Sequence, residues 1–107
     1  MKPTIVTLCG STRFKQAFID ANFNETMAGN IVLTVGGFDH ADSVELTQSQ
    51  RQMLATLHKH KIDMSDEILV INVGGYIGDS TQSEILYAQE RGKNVRFLEP
   101  HHEYNKA

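Results

Sequence analysis

Two short segments of the sequence carry residue types that bind anions and nucleotides. The first contains Gly10, Ser11, Thr12 and Arg13. Glycine permits a close backbone approach, hydroxyl groups donate hydrogen bonds, and a guanidinium group pairs with phosphate through two parallel bonds. The segment predicts a phosphate site, although a plain turn with a serine cap and a solvated arginine fits the spacing equally well.

The second segment, residues 74–81, contains three glycines and follows the most continuously apolar stretch of the chain. Such loops occur where the backbone turns sharply or admits a ligand. Tyr76 could stack on a base or sugar, or it could pack over the edge of a sheet. We favour a ligand-binding role for this loop, with Gly78, Ser80 and Thr81 beside Tyr76.

One carboxylate, Glu84, follows this loop. The spacing predicts that Glu84 lies in the first turn of a helix capped by Ser80 or Thr81, where the helix dipole stabilises a carboxylate. A capping box alone would explain such a residue. The alternative is that Glu84 points into a pocket between the two segments and acts as a nucleophile or base.

The histidines and other aspartates give weaker signals. His58 and His60 lack the i, i+4 spacing that places two metal ligands on one helix face, so we expect no metal site. Asp63 is expected to end a helix in a structural role, and Asp66 is expected to lie in a turn.

The elements that must position these residues alternate along the chain. Apolar periodicity and turn residues predict strands over residues 4–8, 31–35, 68–71 and 95–98. They also predict a helix capped by Ser11 or Thr12 and closed at residues 29–30, a second helix over residues 46–63, and a third from Ser80 or Thr81 to residue 90.

Two further features bear on the site. The second helix is expected to bury a stripe formed by Met53, Leu54, Leu57 and Ile62. Residues 38–45 are polar and irregular, which is typical of a mobile flap.

Four strands that alternate with three helices predict a three-layer α/β fold. We expect a flavodoxin-like or Rossmann-like parallel sheet in the order 2-1-3-4. Ligands of such sheets bind outside the carboxyl ends of the strands, where the strand order reverses. Residues 9–13 and 74–81 follow the two strands at that point, so they are predicted to form one pocket for a nucleoside or nucleotide.

The composition limits the possible functions. The chain has 107 residues, one cysteine and a formal net charge of -3. We expect one domain over residues 1–100, a tail over residues 101–107, and no nucleic-acid polymer as partner. A single cysteine and the absence of a long apolar run predict a cytoplasmic protein with no membrane partner. A domain this small is also expected to self-associate.

The order and spacing of these motifs resemble the nucleoside 2-deoxyribosyltransferase-like family, especially its small deoxynucleoside 5′-monophosphate N-glycosidases. The matching pieces are residues 9–13, residues 65–72, the glycine-rich loop with Glu84 and Ala88, and residues 92–93. The resemblance spans nearly the whole chain. It implies cleavage or exchange of the base of a 2′-deoxynucleoside or its 5′-monophosphate, without a cofactor.

The resemblance also implies residue roles. Glu84 would be the nucleophile, and Gly10, Ser11 and Arg13 would hold a 5′-phosphate, together with Ser80 or Thr81. The family's acidic partner falls on His58 here, which leaves His58, Asp63 or Asp39 as candidates for that role. A homodimer is also implied.

Two other functions fit the same sequence. One is a non-catalytic nucleotide-binding or sensing module on this scaffold, because a fold does not determine a function. The other is hydrolysis of a different N-ribosyl compound, such as a dinucleotide, by the same carboxylate.

Overall fold

The computed structural model describes residues 2–101, so nearly all of the predicted tail over residues 101–107 lies outside the described residues. The elements, in chain order, are β1 (Ile5–Cys9), α1 (Lys15–Met27), β2 (Ile31–Leu33), α2 (Gln48–Met64), β3 (Glu67–Val70), α3 (Asp79–Glu90) and β4 (Asn94–Phe97). A single 3-10 turn, Val73–Gly75, lies between β3 and α3.

The four strands form one parallel sheet in the order β2-β1-β3-β4, as predicted. The carboxyl ends of β1 and β3 are neighbours, since Cys9 pairs with Val70 in the register of the two strands. The loops that leave these strands therefore start side by side, which is the placement that the sequence predicted.

The helices cover both faces of the sheet and complete a three-layer α/β fold. On one face, α1 packs through Phe18 and Ala21 onto Val6 and Leu8 of β1. On the other face, α2 and α3 bury a second cluster: Cys9, Ile62, Ile68, Val70, Ile85 and Ala88. Alternation along β1 thus sends the side chain of Cys9 towards α2 and α3.

The start of α1 differs from the sequence-based expectation. α1 begins at Lys15 with Phe14 as its N-cap, and neither Ser11 nor Thr12 caps it. The backbone N–H of Phe14 donates to the carbonyl oxygen of Ser11 (3.1 Å), so a turn delays the helix. This turn leaves the hydroxyl groups of Ser11 and Thr12 available for other contacts.

The predicted buried stripe of α2 is wrong in part. Ile62 is fully buried, whereas Met53, Leu54 and Leu57 are 52%, 39% and 47% exposed. The helix instead turns His58, with only 7% exposure, towards the sheet. His58 and Ile62 are four residues apart, so they share one face of the helix.

The segment between β2 and α2 is longer than predicted. β2 ends at Leu33 rather than at Val35, and residues 34–46 are irregular. Among residues 2–101, no helix is long and apolar enough to cross a membrane.

Candidate functional site

A cavity of about 1030 Å³ opens at the carboxyl ends of β1 and β3. Both predicted segments line it, together with the irregular segment and one side of α2. The predicted site residues that line the cavity are Gly10, Ser11, Thr12, Arg13, His58, Tyr76, Gly78, Ser80, Thr81 and Glu84. The fold thus brings together every predicted ligand-binding residue.

Glu84 lies in the second turn of α3 rather than in the first, so the capping-box explanation is wrong. The N-cap of α3 is Gly78, and no side chain caps this helix end. Ser80 and Thr81 are therefore residues of the first helical turn, and Thr81 is buried whereas Ser80 is exposed. Glu84 needs another explanation for its position.

That explanation is a contact between Glu84, His58 and Cys9 at the floor of the cavity. Nε2 of His58 lies 3.6 Å from Oε1 of Glu84 and 3.3 Å from Sγ of Cys9. The fully buried thiol of Cys9 also interacts with the Glu84 carboxylate and stabilises its ionised form. The three polar groups satisfy one another in an otherwise apolar layer.

Burial dominates the protonation of this cluster. It raises the pKa of Glu84 to about 7, although the Cys9 hydrogen bond and the charge of Lys59 oppose the shift. Burial and the charge of Lys61 lower the pKa of His58 to about 4. Burial, with the Glu84 charge, raises the pKa of Cys9 well above its ordinary value. At neutral pH the imidazole and the thiol are thus uncharged.

Arg13 and Tyr76 join the two loops across the cavity mouth. The Arg13 guanidinium lies 4.5 Å from the centre of the Tyr76 ring, and Nη2 donates to the Tyr76 hydroxyl at 3.4 Å. Nε of Arg13 also donates to Oγ of Ser11 (2.9 Å). This stacking holds the guanidinium in place at the cavity, where it can meet an anion.

The irregular segment, predicted as a flap, contacts the first loop. The Thr12 hydroxyl donates to Oδ1 of Asp39 at 2.9 Å and lies 2.6 Å from Nδ1 of His40. An ion pair between Lys15 and Asp42 (2.9 Å) ties the same segment to α1. These contacts place Asp39 at the cavity, beside the predicted anion site.

Gly10 lines the cavity, as its sequence context predicted, and it also has a structural role. A Cβ atom at this position would lie 2.9 Å from the carbonyl oxygen of Ile71 and 3.1 Å from its Cβ. The close approach that Gly10 allows is therefore to the chain that continues β3. It keeps the two loops adjacent, whatever ligand binds between them.

Asp63 does not line the cavity. Both its carboxylate oxygens accept from the Tyr87 hydroxyl (3.0 and 2.9 Å), and its carbonyl oxygen accepts from Nζ of Lys93. These contacts hold α2 against α3 and support the structural role that the sequence indicated for Asp63. Asp66 is likewise structural, because Oδ2 accepts from the backbone N–H of Ile5 (2.8 Å).

Sequence reasoning placed Cys9 in the first pocket-forming segment but missed its contacts with His58 and Glu84. Two signals were available: Cys9 lies one residue before Gly10, and strand alternation places it opposite the face of Val6 and Leu8. The partnership with His58 also required the orientation of α2, which the exposed apolar residues of that helix obscured. The same error hid Lys61, which lines the cavity and donates to the carbonyl oxygen of Thr34 (2.6 Å).

Comparisons of this chain with protein-family models, with curated proteins and with solved structures found no significant match. The assignment of a function therefore rests on the residues of the cavity.

Proposed function

We propose that the protein is an N-glycosidase or deoxyribosyltransferase that acts on a 2′-deoxynucleoside or its 5′-monophosphate. The observation that carries this proposal is the position of Glu84. A carboxylate whose side chain is 17% exposed sits in a cavity opposite an arginine and a tyrosine that suit phosphate and base. Membership of the nucleoside 2-deoxyribosyltransferase-like family is part of the same proposal.

In the first step, a carboxylate oxygen of Glu84 attacks C1′ of the sugar. The C1′–N bond breaks, its electron pair stays on the base nitrogen, and the base leaves after it gains a proton. A glycosyl ester on Glu84 results, as in retaining glycosidases. Burial keeps this carboxylate poorly solvated, so little water must be displaced before it attacks.

In the second step, water or a second base attacks C1′ from the opposite side. The ester bond breaks and its electron pair returns to the Glu84 carboxylate. The attacking water or base gives up one proton to solvent, and free deoxyribose or a new nucleoside leaves, each with its 5′-phosphate if the substrate carried one. Water as acceptor makes the protein a hydrolase, and a base as acceptor makes it a transferase. The cavity volume of about 1030 Å³ lies at the upper end of the range for small-molecule pockets, which leaves room for either acceptor beside the sugar.

Of the three candidates for the acidic partner, His58 and Asp39 line the cavity and Asp63 does not. With a pKa of about 4, His58 is neutral at physiological pH and has no surplus proton to deliver. We therefore assign His58 to positioning: its Nε2 lies 3.3 Å from Sγ of Cys9 and 3.6 Å from Oε1 of Glu84, so the imidazole helps to fix both side chains. Asp39 lines the cavity, but its Oδ1 accepts a hydrogen bond from Thr12, so we assign no side chain as the proton donor to the base.

The test is release of free base from a panel of 2′-deoxynucleosides and their 5′-monophosphates, measured by chromatography. We expect Glu84→Gln to lower the rate at least about 1,000-fold, since loss of a nucleophile removes the whole covalent pathway. Glu90→Gln, in the exposed last turn of α3, is the matched control and should retain full activity. Equal rates in both variants would exclude Glu84 as the nucleophile.

The same panel tests the second candidate, a non-catalytic nucleotide-binding module. Arg13 and Tyr76 could hold a nucleotide without any reaction at Glu84. A nucleotide that raises the melting temperature but yields no base would favour this module and exclude the enzyme.

Self-association stays a prediction. The exposed Met53, Leu54 and Leu57 of α2 lie beside or within the cavity lining, where a second copy would complete it. Light scattering coupled to size exclusion tests this point, and a monomer at micromolar concentration would contradict it.

A further inference from the structure

We propose that Cys9, His58 and Glu84 also form a binding site for a Zn²⁺ ion, and that the bound ion inhibits the enzyme. The binding is independent of the proposed function, whereas the inhibition rests on it. The sequence predicted no metal site, because no two histidines share a helix face at the required spacing. The fold instead collects its three ligands from β1, α2 and α3.

The three side chains supply the donor set that zinc prefers. Thiolate sulfur, imidazole nitrogen and carboxylate oxygen are its usual protein ligands, and sites with three protein ligands leave one position open. The candidate ligand atoms of Cys9, His58 and Glu84 all lie within 4.8 Å of one another. All three side chains are at least four-fifths buried, unlike the exposed acidic groups that often cluster without binding an ion.

Two of the three distances between the ligand atoms match those around a tetrahedral zinc ion. Metal–ligand bonds of about 2.0 to 2.3 Å at tetrahedral angles require about 3.5 Å between sulfur and nitrogen and about 3.4 Å between nitrogen and oxygen. The observed distances are 3.3 Å from Sγ of Cys9 to Nε2 of His58 and 3.6 Å from Nε2 to Oε1 of Glu84. The sulfur of Cys9 and the carboxylate of Glu84 lie within 4.8 Å of each other, so a side-chain shift of about 1 Å would complete the tetrahedral spacing.

The charges also balance on binding. Zinc displaces the thiol proton of Cys9 to solvent, so one thiolate and one carboxylate neutralise the two positive charges of the ion. The positive charges of Lys59 and Lys61, which act on Glu84 and His58, repel a cation and therefore lower the affinity of the site for zinc. The open position faces the cavity, because His58 and Glu84 line it.

Zinc at this site would occupy the carboxylate that attacks the sugar. Glu84 cannot hold the ion and bond to C1′ through the same oxygen, so the ion and the glycosyl ester exclude each other. We therefore expect zinc to inhibit base release and a chelator to restore it. The ion would act as a reversible block on the nucleophile.

The experiment uses Co²⁺ as a spectroscopic substitute for zinc in the 107-residue chain. Because Cys9 is the only cysteine, thiolate-to-cobalt charge-transfer absorption reports on this residue alone. We expect this absorption to saturate at one ion per chain and to disappear when zinc is added. Absence of the absorption in the unmodified protein would overturn the proposal, without recourse to a variant.

Variants then identify the other ligands. Cys9→Ser and His58→Gln should each weaken zinc binding more than about 100-fold, because even the partners of metal ligands contribute 10- to 100-fold. His60→Gln, an exposed histidine on the same helix, is the matched control and should bind zinc normally. If His60→Gln weakens binding as much as His58→Gln does, the ion lies elsewhere and the proposal is wrong.

Failure of this proposal and failure of the proposed function are distinguishable. Base release measured with a chelator present tests the enzyme alone, and the cobalt spectrum tests the metal site alone. A cobalt spectrum without base release would retain the site and reject the enzyme. If the protein releases base, shows no cobalt absorption and is not inhibited by zinc, the enzyme is retained and the metal site is rejected.

Discussion

Nε2 of His58 lies 3.6 Å from Oε1 of Glu84, yet the two side chains do not form an ion pair over most of the neutral range. Burial lowers the pKa of His58 to about 4 and raises that of Glu84 to about 7. Between these values both groups are uncharged. Above them Glu84 ionises beside a neutral imidazole, which can donate a hydrogen bond but carries no positive charge.

This relationship predicts the pH dependence of base release by the metal-free protein. A nucleophilic Glu84 must be ionised, so kcat/KM should rise about tenfold per pH unit below about 7 and level off above. His58 keeps its neutral form throughout and adds no second limb above about pH 5. Initial rates across this range, with a chelator present, provide the measurement. A limb at the ordinary glutamate pKa of 4.5 would contradict the environment described for Glu84.

Substitution of Cys9 should shift the pH at which kcat/KM levels off. The direction of the shift depends on the residue introduced. Cys9→Ala removes a group whose interaction lowers the pKa of Glu84, so the apparent pKa should rise above about 7. Cys9→Ser supplies a stronger donor and lowers it. The pH profiles of the two variants measure the direction of each pKa shift. Shifts in the same direction would mean that Cys9 only fills space beside Glu84.

Much of the fold was predictable, because short-range patterns determine it. Alternating apolar strands and helices fixed the parallel sheet, its order and the adjacency of residues 9–13 and 74–81. The central position of β3 followed from its unbroken apolar run, and its residues Ile68 and Val70 are fully buried. These features depend on residue types close together in the chain.

The site was less predictable, because its contacts join distant parts of the chain. The sequence of α2 has more apolar residues on its exposed side than on its buried one, so periodicity misplaced Leu57 and hid His58. Only the packing of α2 against β1 shows that His58 meets Cys9. Similarly, the turn at Ser11 moves the start of α1 to Lys15, and no capping preference of Ser11 or Thr12 reveals it.

Arg13 should select for substrates with a 5′-phosphate. Arg13→Ala loses a charge-assisted hydrogen bond of about 1.5–3 kcal/mol, so kcat/KM for monophosphates should fall roughly 10- to 100-fold. The rate with unphosphorylated nucleosides should change little. Arg91→Ala is the matched control, because Arg91 stacks on Tyr87 at 4.8 Å, and neither residue lines the cavity. An equal loss for both substrate types would place the phosphate elsewhere.

Gly10 provides a test of the scaffold that is independent of any ligand. In Gly10→Ala the new methyl group would lie 2.9 Å from a backbone carbonyl oxygen of Ile71, which cannot rotate away, so β1 and β3 must separate slightly. We expect a loss of about 1–3 kcal/mol in the free energy of unfolding, measured by urea denaturation. Gly37→Ala, where a Cβ meets nothing within 4 Å, should unfold at the same urea concentration as the parent or higher. Because the clash of the added methyl group is with the backbone of Ile71 and not with a ligand, the loss should persist with or without nucleotide. If Gly10→Ala instead weakens nucleotide binding without a change in stability, the main role of Gly10 is the ligand contact that its sequence context predicted.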